Sequence, residues 1–196
     1  MPHNTRIILA SGSPRRHAIL NQLGISHMVV PSRIDEKDAK TKSIREHVKK
    51  LARLKAEKVA VRFKDAIVIG ADTLVIYKGK ALGKPKDRKE AAAMLRKLSG
   101  KRHRVFTALC VIDTRSGRKF TRLVSTSVKF RKLSKEAIGG YINSGEPMDK
   151  AGAYAIQGRG AALVKSISGD FYNVVGLPVP TLLEILERLH VLPKTA

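Results

Sequence analysis

Ala66-Ile67-Val68-Ile69 is an unbroken apolar run that stops at Gly70-Ala71-Asp72-Thr73. A short segment that is apolar at every residue, without the alternation of a half-exposed strand, belongs in the middle of a covered sheet. Arg6-Ile7-Ile8-Leu9-Ala10 reads the same way and gives out at Ser11-Gly12-Ser13-Pro14, after which Arg15 to Leu23 forms a helix closed by Gly24. Ser13 suits an N-cap, Pro14 the first helical position, and Gly24 the residue after the last turn. Buried strands feeding helices through tight loops restrict the chain to an α/β arrangement.

The remaining elements fit that class. His27 to Pro31 is a strand. Ser43 and Glu46 have capping-box spacing for a helix running to about Phe63, with Ile44, Val48, Leu51, Ala52, Ala56 and Val59 on its apolar face. Leu74 to Tyr77 continues the central strand to a turn at Lys78-Gly79. Asp87 and Glu90 cap a helix presenting Ala91, Met94, Leu95 and Leu98. Arg104 to Asp113 and Lys119 to Phe130 read as a hairpin around Arg115-Ser116-Gly117. Ser134 to Asn143 is a helix ended by Gly145. Ala161 to Ile167 and Phe171 to Val175 read as a second hairpin, turned at Ser168-Gly169-Asp170, and Pro180 to Leu189 as a terminal helix. Hairpins among helices imply a mixed sheet. A length of 196 residues, with no repeat or linker, predicts a single domain over 1–196.

Charge sets apart two classes of function. Thirty-nine Lys and Arg against sixteen Asp and Glu give a net charge of +23, a strong attraction for any polyanion. Nucleic acid is one such partner, and small phosphorylated substrates are another. Aromatic residues are 5% of the chain and Trp is absent, which leaves few platforms for stacking single strands. The basic residues are spread along the chain, so nucleic acid is expected only through non-specific charge. Cys110 is the only cysteine, which fits a reducing compartment, and the polar N-terminus runs straight into a strand. Cytoplasmic residence, without a membrane span, is the expectation.

Several nucleotide and hydrolase signatures are missing. Gly79 to Lys84 has three residues between its glycines and Pro85 where a phosphate loop needs Ser or Thr. Gly158-Arg159-Gly160 lacks the third glycine of a dinucleotide fingerprint. Neither a His-Glu-x-x-His nor a Gly-x-Ser-x-Gly motif occurs.

Four features can carry chemistry, and each also has a plainer reading. Ser11-Gly12-Ser13-Pro14-Arg15-Arg16 joins a strand to a helix, so backbone N–H groups, hydroxyls and guanidiniums suit a di- or triphosphate. The plainer reading is a capped helix with exposed arginines. Asp72, just past a central strand, can bind metal or accept a proton, or can simply form a turn. Asp35-Glu36 offers further carboxylates on a loop where acidic residues are ordinarily solvated. Lys55 interrupts the apolar helix stripe, so it must reach water or point at something negative. Lys84 sits in a Gly-Lys-Pro loop. The segment Glu146 to Gly158 is rich in small residues yet holds Gln157, whose amide can both donate to and accept from a base edge. As ordinary surface it needs no ligand.

Taken in order, Leu9-Ala10-Ser11-Gly12-Ser13-Pro14-Arg15-Arg16, Ile34-Asp35-Glu36, Lys55-Ala56, Gly70-Ala71-Asp72-Thr73, Gly83-Lys84-Pro85, Leu98-Ser99-Gly100 and Asp149-Lys150-Ala151-Gly152-Ala153-Tyr154 resemble the Maf family from about Ile7 to Pro178. Any one motif is weak, whereas the ordered set is specific. The resemblance implies an inosine-triphosphatase-like (Maf/Ham1) fold: an elongated mixed β-sheet with flanking helices and two lobes around a cleft. It also implies a nucleoside triphosphate pyrophosphatase, a divalent metal ion such as Mg²⁺ or Mn²⁺, and a homodimer. Asp72 matches the family's proton acceptor. Ser11, Arg15, Arg16, Glu36, Lys55, Lys84 and Gln157 match its substrate- or metal-handling positions, with Glu36 and Asp72 expected at the metal and Ser13 beside the phosphates. Arg15, Thr73 and Gln157 resemble the branch acting on dTTP and UTP. The high positive charge has no counterpart in that resemblance.

Overall fold

The computed structural model describes residues 5–35, 41 and 43–191. Its elements run β1 (Arg6–Leu9), α1 (Pro14–Gln22), β2 (Met28–Val29), α2 (Ile44–Ala60), β3 (Ala66–Tyr77), β4 (Lys80–Leu82), α3 (Arg88–Leu98), β5 (Arg102–Asp113), β6 (Lys119–Phe130), α4 (Lys135–Asn143), β7 (Val164–Ser168), α5 (Phe171–Val175) and α6 (Val179–Arg188). Strand order in the mixed sheet is β2-β1-β3-β5-β6-β7, with β4 paired to β3. β1 is parallel to both β2 and β3, whereas β4 on β3 and β7 on β6 are antiparallel. The chain divides into two compact units: Met1–Asp72, Thr107–Val124 and Gly176–Ala196 form one, Thr73–Phe106 and Ser125–Val175 the other.

In the first unit β1 is central, with Leu9 opposite Val29 on one side and Ile69 on the other. Ile8, Leu9, Val68 and Ile69 are wholly buried, as their uninterrupted apolar character requires. The α2 helix approaches β3 closely because only small residues meet there. A Cβ placed on Gly70 would lie 2.5 Å from the Ala52 carbonyl oxygen and 2.7 Å from the Ala56 nitrogen. Ser43 occupies the N-cap position of α2, but its side chain makes no capping bond, so the capping box read from the sequence does not form; the helix also ends at Ala60 rather than Phe63. Asp87, by contrast, accepts from Glu90 N at 2.7 Å and Ser134 from Ala137 N at 3.1 Å, as their spacing predicts.

The second unit packs α3 and α4 around Leu95, Leu98, Val128, Phe130, Ile138 and Tyr141. The expected second hairpin does not form: its first arm begins at Val164, after a 3₁₀ segment over Gly158–Leu163, and pairs with β6, while Phe171–Val175 is a short helix. The cause is Asn173, which is fully buried and donates to Val105 O at 3.1 Å and Thr126 Oγ1 at 2.9 Å. Thr126 Oγ1 in turn donates to Asp170 O at 2.8 Å. Five residues hold too little periodicity to separate a strand from a helical turn, and a buried amide decides the matter. His103 lies in the same unit, 3% exposed, with Nε2 2.7 Å from Tyr154 Oη and its ring edge-on to Phe130 and Tyr154.

Gly70→Ala should lower stability by about 1–3 kcal/mol, because the clash falls on backbone atoms that cannot swing aside. Gly140→Ala, on an exposed turn of α4 with nothing within 4 Å of the added methyl, should be neutral to stabilising. Urea midpoints of both variants check the contrast. Burial also lowers the His103 pKa from 6.5 to about 4. The unfolded chain therefore takes up a proton that the native state refuses. Stability from this group is complete above about pH 6.5 and is lost as pH falls toward 4, on the order of 3 kcal/mol at most. Denaturation at pH 7 and pH 4.5 should show a smaller acid loss in His103→Gln than in the wild type.

Candidate active site

β1 and β3 run side by side in the same direction, and Ala10 N donates to Ile69 O at 2.8 Å. Leu9 pairs with Ile69, so the loop after β1 begins beside Gly70, and Asp72, expected just past a strand, instead lies within β3, three residues beyond the last residue paired with β1. The chain leaves β1 for β2 on one side, whereas β3 lies on the other. Ligands of open α/β sheets bind at such switch points, outside the carboxyl ends of the strands.

Ser11 and Arg16 build the first part of the site. Both are buried, and Arg16 Nη1 donates to Ser11 Oγ at 2.9 Å while Arg16 Nε donates to Gly176 O at 2.8 Å. Ser11 Oγ also accepts from Ser13 N at 3.2 Å. Arg16 is thus held by the loop that it helps to hold, rather than standing out in water. Ser13 occupies the N-cap position of α1, but its side chain makes no capping bond. Pro14 follows at the first helical position and the opening turn of α1 contains no acidic residue. Backbone N–H groups, two serine hydroxyls and the Arg15 and Arg16 guanidiniums make this segment attractive to an anion.

Asp72 and Lys55 build the second part. Lys55 sits between Ala52 and Ala56 on the face of α2 that meets Gly70, which brings its amine to the middle of β3. Its Nζ lies 2.5 Å from Asp72 Oδ1, with side-chain exposures of 14% and 9%. Of the alternatives open to a lysine in an apolar stripe, it points at a carboxylate. Asp72 Oδ2 is buried and has no hydrogen-bond partner among the described residues. An orphaned carboxylate oxygen is costly unless a ligand completes it. Water or a hard divalent cation, both of which carboxylate oxygens accept, fits there.

Among the described residues no group of three or more His, Cys, Asp and Glu could hold a metal by itself. Glu36, the other expected metal ligand, lies outside the described residues.

The second unit carries Thr73, Lys84 and Gln157. Thr73 is half-buried on β3, directly after Asp72, while Lys84 and Gln157 are exposed. Gly152 N donates to Gly83 O at 2.9 Å, tying the Lys84 loop to the segment that leads toward Gln157. Two participants escaped the sequence reading. Gly176 gives Arg16 its carbonyl partner from 160 residues away. Glu146 binds the loop after Gln157 through Arg159 N and Gly160 N, each at 3.1 Å. A Gly ahead of Leu177-Pro178 and a carboxylate inside a Gly-rich stretch were the only signals.

Known proteins resemble this chain in sequence over nearly its whole length. The family model described as Maf-like protein matches residues 6–189. The dTTP/UTP pyrophosphatase of Aquifex aeolicus is 50% identical over 190 residues, 97% of this chain and 98% of the relative. That of Bacillus velezensis is 52% identical over 186 residues, covering 95% and 97%. The Staphylococcus aureus Ham1 protein superimposes with a TM-score of 0.54 at 17% identity, over 94% of this chain and 99% of that one, a likeness of fold alone. With ordered motifs, Ser11 following β1 and Asp72 on the parallel neighbour β3, and near full-length similarity, the chain belongs to the Maf family.

Proposed function

We propose that this chain hydrolyses dTTP and UTP to the nucleoside monophosphate and pyrophosphate, with Asp72 as the base. The observation that carries the reading is the Asp72 carboxylate, pinned on Oδ1 by Lys55 and unfilled on Oδ2, on β3 just beyond the point where β1 gives way to the Ser11–Arg16 loop. The substrate class follows from relatives whose names give dTTP and UTP.

Asp72 Oδ2 accepts a proton from a water whose oxygen bonds to the α phosphorus. The bridging bond between the α and β phosphates breaks, and pyrophosphate leaves with the electron pair. Ser11, Ser13 and the α1 backbone hold phosphate oxygens, with Arg15, Arg16, Lys55 and Lys84 balancing their charge. A bound Mg²⁺ or Mn²⁺ supplies further neutralisation of the phosphates, and Asp72 and Glu36 are the residues that would hold it. Thr73 and Gln157 read the pyrimidine, Gln157 through its two-way amide. The +23 charge supports only unselective attraction to nucleic acid, and no helix among the described residues is long and apolar enough to cross a membrane. Assembly as a homodimer and cytoplasmic residence complete the proposal; sedimentation tests the first.

Asp72→Asn should keep the fold, checked by its melting curve, and lose about 10²–10⁴ in kcat. Near wild-type turnover in that variant removes Asp72 from the role of base. Product analysis should give pyrophosphate, not orthophosphate, with solvent oxygen carried in the monophosphate. Gln157→Ala should reduce the preference for dTTP over CTP by about tenfold, the usual effect of losing hydrogen bonds that discriminate. An unchanged ratio of kcat/KM values discards that assignment.

A further inference from the structure

Gln157 stands at the N-cap position of the 3₁₀ segment Gly158–Leu163, yet its side chain makes no capping bond. The N–H groups that an N-cap side chain ordinarily satisfies go to Glu146. Its Oε2 accepts from Arg159 N at 3.1 Å and its Oε1 from Gly160 N at 3.1 Å. Oε1 also accepts from Tyr141 Oη at 2.9 Å, and Tyr141 Oη accepts in turn from Ala155 N at 3.1 Å. The loop from Ala155 to Gly160 is therefore clamped at both ends by one tyrosine–glutamate pair.

The fit leaves little slack. A Cβ on Gly160 would lie 2.3 Å from Ala155 O and 2.7 Å from Tyr141 Oη, and one on Gly158 would lie 3.0 Å from Glu146 Oε2. Lys150 turns its ammonium to the Glu146 backbone carbonyl and the Asp149 carboxylate, which stiffens the stretch leading into Gly152. Burial above all, and also the bond to Glu146, raise the Tyr141 pKa above its ordinary value, so the hydroxyl remains a donor throughout the neutral range. Three hydrogen bonds thus converge on a side chain that the catalytic scheme does not use.

We propose that Glu146 is a positioning residue for nucleobase selection: it takes over the helix-capping duty that falls by position to Gln157, so that the Gln157 amide is left for the pyrimidine. The inference rests on the reading of Gln157 as the base-recognising side chain. It assigns selectivity to a carboxylate that touches neither phosphate nor base.

The test measures kcat and KM on dTTP and CTP for the wild type, Gln157→Ala, Glu146→Ala, Glu146→Gln and the Gln157→Ala/Glu146→Ala double variant. Glu146→Ala should lower the dTTP-to-CTP ratio about as far as Gln157→Ala does, about tenfold, through KM for dTTP with kcat on CTP unchanged. The double variant should fall no further, because both changes remove one interaction. Glu146→Gln retains one accepting oxygen and should restore part of the ratio; it also serves as the readable variant should Glu146→Ala fail to fold. A ratio that falls in Gln157→Ala but is unchanged in both Glu146 variants overturns the positioning role alone, as does a uniform loss of kcat on both nucleotides. A ratio unchanged in Gln157→Ala itself overturns the reading of Gln157, and this inference with it.

Discussion

The close approach of α2 to β3 at Gly70 fixes the chemistry of the first unit. Ala52 and Ala56 leave no room for a side chain on the strand, and Lys55, lying between them, is carried to Asp72 in the middle of that strand. A larger residue at any of the three would push the helix outward and lengthen a 2.5 Å ion pair. An ion pair this sheltered contributes little to net stability, since desolvating both charges offsets their attraction. What it provides is placement: one oxygen of Asp72 is committed to Lys55, so the other has a fixed direction and an unfilled lone pair. Side-chain volume at Gly70, Ala52 and Ala56 thereby governs the orientation of a carboxylate two residues further on.

Much of this was legible in the residues. Unbroken apolar runs identified β1 and the start of β3, and the Ser-Gly-Ser-Pro sequence identified the turn into α1, because strands buried on both faces and proline-started helices have few alternatives. A lysine within an apolar stripe had either to reach water or to find an anion, and Lys55 does the second. Ser43 has the identity and spacing of a cap without making the bond, and Phe171–Val175 has strand-like composition without being a strand. In the second place partners remote in sequence meet the segment, and a single chain gives no sign of which backbone carbonyl a buried Asn173 will meet. The same is true of Glu146, whose three donors come from positions up to 14 residues away. Local rules locate elements, while long-range hydrogen bonds settle what short segments become.

The surplus of basic residues acts on a different length scale. Attraction between this surface and a polyphosphate extends over a Debye length, about 8 Å at physiological ionic strength, and raises encounter rates without regard to the base attached. Discrimination therefore has to come from neutral groups at contact range. That division of labour accounts for the unequal upkeep of the side chains: Arg16 and Lys55 are fastened by one or two strong bonds, whereas the stretch around Gln157 is braced by a network of uncharged donors on a single carboxylate.

The backbone passes from one compact unit to the other after Asp72, Phe106, Val124 and Val175. Neither unit is a continuous stretch of polypeptide, so no single truncation releases either one whole. A ribosome must have delivered nearly the entire chain before the first unit can close, because Gly176, which receives the Arg16 side chain, is made late. Synthesis thus proceeds with the anion-binding loop lacking its final fastening, and a chain terminated early would expose the apolar strands of both units at once. Gene fusion or recombination can append to this protein at its ends, but cannot borrow half of it.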